Sequence, residues 1–320
     1  MGLGLAAWPL VAQAQQPAGT ARIGWLAAGA RHDPVARLAH QVFRQELRVL
    51  GYAEGQNIAI EQRFADRDLG RLPQLAAELV RLKPDIIVAA PTPAAVAARE
   101  ATDTIPIVMI NVGDPIGLGL VASLAQPGGN VTGLTSFTTQ LNGKRLELLK
   151  EAVPGVSRVA VLWNPAISER APEFPEVEAA AQSLGLQVIS LEAREPGELE
   201  AAFEAASGQR ANALLTLDNA LLSANRGQLA ELVTKSRLPT ISDGRFLADA
   251  AGLMAYGPDQ ADQHRLAATF VDKILKGAKP ADLPIEQPTK FDFVINLKTA
   301  RDLGLTIPQS VLQQATETVQ

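Results

Sequence analysis

The 320-residue sequence contains no cysteine. Without a thiol the chain forms no disulfide, has no cysteine nucleophile or thiolate metal site, and offers no cysteine for a lipid anchor. It has three histidines, His32, His40 and His264, and these show neither the spacing of metal ligands nor a partner motif. We therefore expect a protein without a metal and without a cofactor.

Several enzyme signatures are missing as well. The sequence has no Gly-x-Ser-x-Gly nucleophile elbow and no Gly-x-x-x-x-Gly-Lys-Ser/Thr phosphate loop. Gly117 and Gly119 follow an apolar run, but the third glycine of a dinucleotide fingerprint and the acidic residue about 20 positions later are absent. These absences argue against an enzyme.

The sequence also lacks an excess of positive charge, with 29 lysines and arginines against 34 aspartates and glutamates. The formal net charge is −5 and no Lys/Arg cluster offsets it, so nucleic acid is not expected as a partner. No stretch reaches the roughly 18 apolar residues needed to cross a bilayer. Leu3–Val11 is a short apolar run before Ala12-Gln13-Ala14, the small-x-small pattern that a signal peptidase cuts. We interpret residues 1–20 as a signal-peptide remnant and disordered lead, which predicts a soluble periplasmic protein.

What the sequence does contain is an alternation of apolar runs with amphipathic stretches of helical length. This alternation predicts an α/β fold with parallel sheets and helices on both faces. At about 100–200 residues per domain, the length predicts two lobes. The boundaries that we infer are lobe 1 at 21–136, lobe 2 at 137–257, a return to lobe 1 at 258–288, and a C-terminal strand and helix at 289–320 whose lobe stays open.

The stretch 105–136 is the clearest unit of this pattern. It is predicted to form a strand, a short helix beginning at Asp114-Pro115, and a second strand after Pro127-Gly128-Gly129-Asn130. A strand end followed by a capping residue and proline predicts a helix start there. The arrangement occurs at five places, namely Asp33-Pro34, Thr92-Pro93, Asp114-Pro115, Asn164-Pro165 and Gly257-Pro258. In parallel sheets such turns share the edge that binds ligands.

Three long strings resemble the ABC-transporter substrate-binding family, whose characterised members include importers of aromatic amino acids. They are VGDPIGLGLVASLAQPGGNVTGLTS, KRLELLKEAVPGVSRVAVLWNP and VDKILKGAKPADLPIEQPTKFDFVINLKTARDLGLTIPQSVL. The resemblance runs from about Arg22 to Ala315. It implies a type I periplasmic binding-protein fold, with two Rossmann-like lobes, a multi-stranded hinge and a ligand closed between the lobes.

For an amino-acid-like solute, such a site needs donors for a carboxylate, an acidic group for an ammonium and apolar walls. In lobe 1 we expect Thr92 and the backbone N–H groups of Ala94 and Ala95 to hold a carboxylate, with Asp114 nearby. The lobe 2 candidates are Asn164, Asp218, Asn219, Ser242 and Asp243. Asp218 is the first choice for the ammonium, since family members carry a Thr-Asp-Asn turn where this chain has Leu217-Asp218-Asn219. The competing interpretation is helix capping for Asp114, and helix capping or solvation in a loop for Asp218 and Asp243.

Two aromatic residues are candidates for the apolar walls of the site. They are Tyr256 and Trp25, although Trp25 lies in the middle of a strand and suits a core.

The predicted function is that of the periplasmic, monomeric, non-catalytic component of an ABC importer, which captures an amino acid or small carboxylate and docks on permease and ATPase subunits. A repressor of the same fold needs a helix-turn-helix before the first strand, for which Met1–Thr20 is too short and too apolar. A periplasmic ligand sensor that serves a membrane receptor remains the alternative.

Overall fold

The protein is described here by a computed structural model that covers residues 19–32, 34–136, 138–167 and 173–320. Residues 1–18 of the predicted signal segment and lead (1–20), and the capping role of Asp33, lie outside the described residues. None of the helices in the described ranges is both long and apolar enough to span a bilayer.

Lobe 1 is built on a parallel sheet that has five strands within the described residues. Their order in space is β2-β1-β3-β4-β5. In chain order they are β1 (Ala21–Ala27), β2 (Ile58–Phe64), β3 (Ile86–Ala90), β4 (Ile107–Val112) and β5 (Val131–Thr135). The strands β1, β3 and β4 are nearly continuous runs of buried apolar residues, as expected when helices cover both faces of a parallel sheet.

Three helices follow strands in this lobe: α1 (Pro34–Val49), α2 (Leu72–Arg81) and α3 (Thr92–Ala101). Helix α1 buries Phe43 and Leu47 against one face of the sheet, and α2 and α3 pack on the other face through Leu75, Leu79 and Ala98. The sheet therefore lies between two apolar layers.

Lobe 2 has a larger sheet, with seven strands in the described part of the chain. Their order is β12-β11-β10-β9-β8-β6-β7, and only the β10–β11 pair is antiparallel. The strands are β6 (Arg158–Trp163), β7 (Gln187–Glu192), β8 (Ala213–Thr216), β9 (Thr240–Ser242), β10 (Met254–Pro258), β11 (Phe291–Asn296) and β12 (Glu317–Val319). The helices that accompany them are α4 (Thr138–Ala152), α5 (Glu173–Ser183), α6 (Leu199–Gly208), α7 (Ala220–Ala224), α8 (Arg226–Ser236), α9 (Arg245–Ala250), α11 (Leu297–Leu303) and α12 (Gln309–Leu312).

The chain passes between the lobes three times. It leaves lobe 1 after β5 and enters lobe 2 with α4. It returns after β10 with α10 (Gln260–Leu275), which buries Phe270 and Val271 in the same core as α1. Residues near Glu286 then run beside β5, where Thr135 N donates to Glu286 O at 3.1 Å, before β11 re-enters lobe 2.

Several sequence-based expectations about individual elements are wrong. No helix follows Asp114 in the described chain, because residues 114–120 form successive turns in which Gly119 adopts a left-handed φ of 66°. Asn164-Pro165 also forms a turn. Gly257-Pro258 ends β10, and Asp259 supplies the cap of α10 by accepting from Asp262 N at 2.9 Å. Of the cap-and-proline pairs within the described residues, only Thr92-Pro93 begins a helix.

Two further differences concern lobe 2. The sequence pattern of residues 222–236 predicts a single helix, but the structure interrupts it at Asn225, which separates α7 from α8. Asn225 ends α7, and its side-chain amide donates to Leu221 O at 2.8 Å, which satisfies a carbonyl of the helix end. The elements α9 and β12 were not predicted, because both are too short to show a period.

Candidate functional site

The carboxyl ends of the parallel strands form one edge in each lobe, and the two edges lie next to each other. β5 ends at Thr135 and α4 of the other lobe begins at Thr138; β10 ends at Pro258 and α10 begins at Gln260. Because these connections are so short, the edge of lobe 1 meets the edge of lobe 2 where the chain crosses. This junction is the candidate site.

The register of lobe 2 brings four predicted residues into one row at this edge. Leu162, Thr216, Ser242 and Ala255 are neighbours on adjacent strands. Adjacent strands lie about 4.8 Å apart, so the residues one or two positions beyond these four line the same edge. They are Asn164, Asp218, Asp243 and Tyr256.

Asp218 connects two of these strand ends and is only 8% exposed. Its Oδ1 accepts a hydrogen bond from Thr216 Oγ1 at 2.7 Å, and its Oδ2 accepts one from Gly244 N at 3.0 Å. The carboxylate thus fixes the turn after β9 relative to the end of β8. Thr216 provides a hydroxyl one position before Leu217, where the resemblance described above leads us to expect a threonine.

The other polar candidates in lobe 2 satisfy local backbone groups. Asn219 caps α7, with Oδ1 accepting from Leu222 N at 3.1 Å. Asn164 Oδ1 accepts from Ala166 N at 2.9 Å, and the buried Ser242 donates to Gly244 O at 2.8 Å. These bonds shape the turns at the edge.

The backbone of Asp243 approaches β10 so closely that only glycine fits opposite it. A Cβ on Gly257 would lie 2.2 Å from Asp243 O, far inside van der Waals contact. The half-buried Tyr256 precedes this contact and stacks on Phe291, with ring centroids 5.8 Å apart. An aromatic surface therefore lies beside the polar row.

In lobe 1 the predicted carboxylate donors are already engaged. The N–H groups of Ala94 and Ala95 both donate to Pro91 O, at 3.0 and 3.2 Å, as the first turn of α3 closes on itself. Thr92 Oγ1 accepts from Gly113 N at 3.2 Å and so joins the ends of β3 and β4. Asp114 is exposed, and its Oδ1 accepts from Gly117 N at 2.8 Å.

Asn111 is a site residue that the sequence analysis did not select. It lies in β4 where the pairing with β5 shifts register and adopts a left-handed φ of 58°, an uncommon conformation for a residue other than glycine. Its Nδ2 donates to Gln260 Oε1 at the start of α10. Its Oδ1 is buried and accepts no hydrogen bond from a described residue, so a water or a ligand donor is needed to satisfy it.

Arg145 and Asn142 on α4 were also missed, and both are fully buried. Arg145 Nη1 donates to Asn142 Oδ1 at 2.6 Å. They share a helix face with the buried Leu146 and Leu149, so a charge and an amide occupy positions where the helical period calls for apolar residues. That departure from the pattern is the signal that could have revealed them.

Trp25 does not form a wall of this site. It is 3% exposed and belongs to the core of lobe 1, with its ring 4.6 Å from His40 and 5.0 Å from Phe43. Burial, together with the nearby Arg44 guanidinium, lowers the pKa of His40 from 6.5 to about 4. Burial also lowers the pKa of His264, whose ring lies 6.0 Å from Trp25. Both histidines are structural and neutral at neutral pH.

The described residues contain no group of three histidine, aspartate, glutamate or cysteine side chains placed to hold a metal ion. The site therefore consists of a carboxylate, amides, hydroxyls, backbone groups and an aromatic ring. This set of groups is suited to binding a small polar molecule.

Two α/β lobes joined by three crossings, with polar strand ends at the junction, define a type I periplasmic binding-protein fold. The sequence profile of the family described as "ABC transporter substrate binding protein" matches residues 31–319. The chain belongs to this family. The family and the fold inferred from the sequence are thus confirmed.

The chain is similar to proteins from three bacteria. It is 27% identical, over 83% of its length and 76% of the relative's, to a tyrosine-binding protein of Clostridioides difficile strain R20291. It is 27% identical to an ABC domain from Streptococcus pneumonia solved in complex with L-Trp, with a TM-score of 0.85 over 94% of this chain and 100% of the other. A conserved domain protein of Vibrio cholerae is 29% identical, with a TM-score of 0.84 over 93% and 99% of the two chains.

Proposed function

We propose that this protein binds an amino acid between its two lobes and delivers it to an ABC importer. The observation that carries the proposal is Asn111, whose buried side-chain oxygen lacks a donor at the junction of the lobes. An ammonium group is a donor of the required kind. The solved relative that holds L-Trp and the relative named for tyrosine support an amino acid as the ligand class.

The roles of the individual residues follow from the contacts. Asp218 adds negative charge beside the ammonium while it keeps the turn after β9 in place. Thr92 and Gly113 occupy the facing edge of lobe 1, where the Thr92 hydroxyl accepts from Gly113 N and keeps its own proton to donate to the ligand carboxylate. Tyr256 provides an apolar surface for the ligand side chain. Asn164, Asn219, Ser242 and Asp243 shape the turns around it.

Binding proceeds by closure of the lobes. Ligand contacts made by both edges are complete only when the edges meet, so the ligand shifts the population from open to closed. The closed protein docks as a monomer on a permease, and separate ATPase subunits supply the energy. The protein performs no catalysis, and its place of action is the periplasm.

A thermal-shift screen tests the proposal directly. Purified protein is first analysed by native mass spectrometry for a co-purified small molecule and is then screened with amino acids, small carboxylates, purines and sugars. A ligand at 100 times its dissociation constant stabilises the folded state by about 2.7 kcal/mol. We expect L-amino acids, with the aromatic ones first, to raise the melting temperature. A rise in melting temperature caused only by sugars or purines contradicts the proposed ligand class.

The variant Asp218→Asn refines the screen. The amide keeps one oxygen for Thr216 or Gly244 but removes the negative charge, so it should weaken binding of the amino acid more than it lowers the melting temperature of the free protein. Asp249→Asn is a matched control, because Asp249 is an exposed carboxylate paired with Arg245 on α9. An Asp218→Asn protein that binds as tightly as wild type excludes the proposed role of this charge.

A further inference from the structure

Strand β2 leaves one edge of the lobe 1 sheet open. On the side of β2 that faces β1, two hydrogen bonds flank the strand. Just before β2, Asn57 O accepts from Ala21 N at 2.9 Å, and just after β2, Ala65 N donates to Ala27 O at 2.9 Å. Backbone groups of successive residues in a strand point to opposite sides, so the odd-numbered residues of β2 face β1. The even-numbered residues therefore turn their N–H and C=O groups outward.

The outward groups beyond the first residue of β2 lack backbone partners. Ile58 O accepts from Gly55 N at 2.9 Å, which closes the start of the edge. Gln62 O accepts from the Arg63 side chain at 2.9 Å. In the described chain no group accepts from the N–H of Ile60, Gln62 or Phe64. An unpaired row of this kind is a template for pairing with another strand.

A cavity flanks β2 on each face. The first has a volume of about 770 Å³ and lies between α1 and β2; the second has a volume of about 760 Å³ and lies between β2 and α2. Both reach Arg31, Gln62 and Phe64, so the two cavities meet at the edge of the strand. Side chains of an added strand point alternately to the two faces, and each cavity would receive every second one.

The cavity beside α1 is lined by five arginines and by two glutamates, Glu54 and Glu61, so it is basic although the whole chain carries a net charge of −5. Arg37 and Arg48 are exposed and make no ion pair with any described residue. Arg44 pairs with Glu54 at 3.2 Å, and the Arg31 guanidinium lies 5.1 Å from the centre of the Phe64 ring. The charge that this cavity attracts is therefore negative.

We propose that the free edge of β2 binds an extended acidic segment of another polypeptide by strand addition. Main-chain hydrogen bonds to Ile60, Gln62 and Phe64 provide the pairing, and carboxylates at alternate positions meet Arg37 and Arg48. A second copy of this chain does not fit, because it would place arginines against arginines. This surface runs along the free edge of lobe 1, and only its Phe64 end lies at the carboxyl edge of the sheet.

Fluorescence polarisation with labelled octapeptides tests the proposal. The probe alternates glutamate with threonine; one control peptide replaces each glutamate by lysine, and another keeps the glutamates but carries proline at the threonine positions. We expect saturable binding of the probe and at least tenfold weaker binding of both controls. Binding should weaken as sodium chloride rises from about 50 mM to about 300 mM, because salt screens exposed charges.

Protein variants separate charge from backbone pairing. R37E combined with R48E should weaken probe binding at least tenfold, whereas K235E combined with R301E makes the same charge change at exposed positions of lobe 2 and should leave it unchanged. Gln62→Pro removes one outward N–H without disturbing the bonds to β1, and should weaken binding. Gln62→Thr keeps that N–H and should bind like wild type. Circular dichroism confirms that each variant is folded.

Any one of the following results overturns the proposal. Absence of saturable probe binding to wild type means that the arginines keep the edge unpaired, a role that charged residues have at many sheet edges. Equal binding of the proline-containing peptide, or of the probe to folded Gln62→Pro protein, excludes strand addition. Binding of inorganic polyphosphate or anionic vesicles at least as tight as that of the probe shows a general anion site instead.

Discussion

The Nε of Arg145 donates a hydrogen bond of 2.8 Å to the carbonyl oxygen of Tyr256. The bond joins α4, the first element after the chain enters lobe 2, to β10, the last strand before it leaves. Because Arg145 is fully buried, its charge is held in place by hydrogen bonds rather than by water. This contact fixes the two crossing elements relative to each other on the lobe 2 side of the hinge.

Replacing Arg145 should therefore destabilise the protein strongly. In Arg145→Ala the Tyr256 carbonyl and the Asn142 oxygen lose their donors and a cavity is left, at a cost of about 2–4 kcal/mol in the free energy of unfolding. Urea denaturation followed by circular dichroism measures it. Arg158→Ala is the control, because it also removes an arginine hydrogen bond to a backbone carbonyl, that of Gln209, but at a part-exposed position. It should cost less than about 1 kcal/mol in the free energy of unfolding. Equal effects of the two substitutions contradict a structural role for Arg145.

The contact between Gly257 and Asp243 gives a second prediction. In Gly257→Ala the new Cβ would lie 2.2 Å from Asp243 O, so β10 or the turn after β9 must move. We expect a loss of at least about 3 kcal/mol in the free energy of unfolding, measured by urea denaturation. Gly197→Ala is the control, because nothing lies within 4 Å of its added methyl group. A Gly257→Ala protein as stable as wild type would show that these backbones can separate.

Much of the fold was predictable because it depends on patterns that are local in sequence. Buried strands such as β3 and β4 appear as continuous apolar runs, and α10 shows a clear helical period. The turns after Asp114 were not predictable in the same way, since a capping residue and proline favour a helix start without requiring one.

The site was less predictable than the fold. Polar residues at strand ends could be placed at the common edge, but most of their hydrogen-bond partners lie far away in sequence. Asp218 is held by Gly244, and Asn111 by Gln260. The left-handed conformation of Asn111 depends on a register shift that no sequence period shows. From the sequence, Trp25 suited either the wall of the site or the core of lobe 1. Only the packing of α1 and α10 shows that it belongs to the core.

Acid should weaken the packing around Trp25. The pKa of His40 is lowered from 6.5 to about 4, so the unfolded chain takes up a proton at a higher pH than the folded one. The contribution of neutral, buried His40 to the free energy of unfolding is complete above pH 6.5, declines as the pH falls and is lost below about 4. Urea midpoints at several pH values should show a steeper decline in wild type than in His40→Gln. Parallel curves for the two proteins contradict this prediction.

Asn111 should be needed for ligand binding more than for folding. Asn111→Gly keeps a residue that readily adopts positive φ but removes the side-chain oxygen. We expect its affinity for the preferred amino acid to fall at least about tenfold, which corresponds to about 1.4 kcal/mol, with little change in melting temperature. Asn111→Ala should lose affinity and also stability, because alanine is strained at positive φ. Isothermal titration and thermal unfolding separate the two effects; unchanged affinity in Asn111→Gly excludes Asn111 as a ligand contact.

The central claim is that the junction of the lobes recognises both the ammonium and the carboxylate of an amino acid. Isothermal titration of ligand-free protein with L-tryptophan, tryptamine and indole-3-propionate measures this most directly, because the two analogues lack the carboxylate and the ammonium, respectively. The account predicts saturable binding of one L-tryptophan per chain and at least about tenfold weaker binding of each analogue. Equally tight binding of either analogue, or no binding by this or any other L-amino acid, would contradict it.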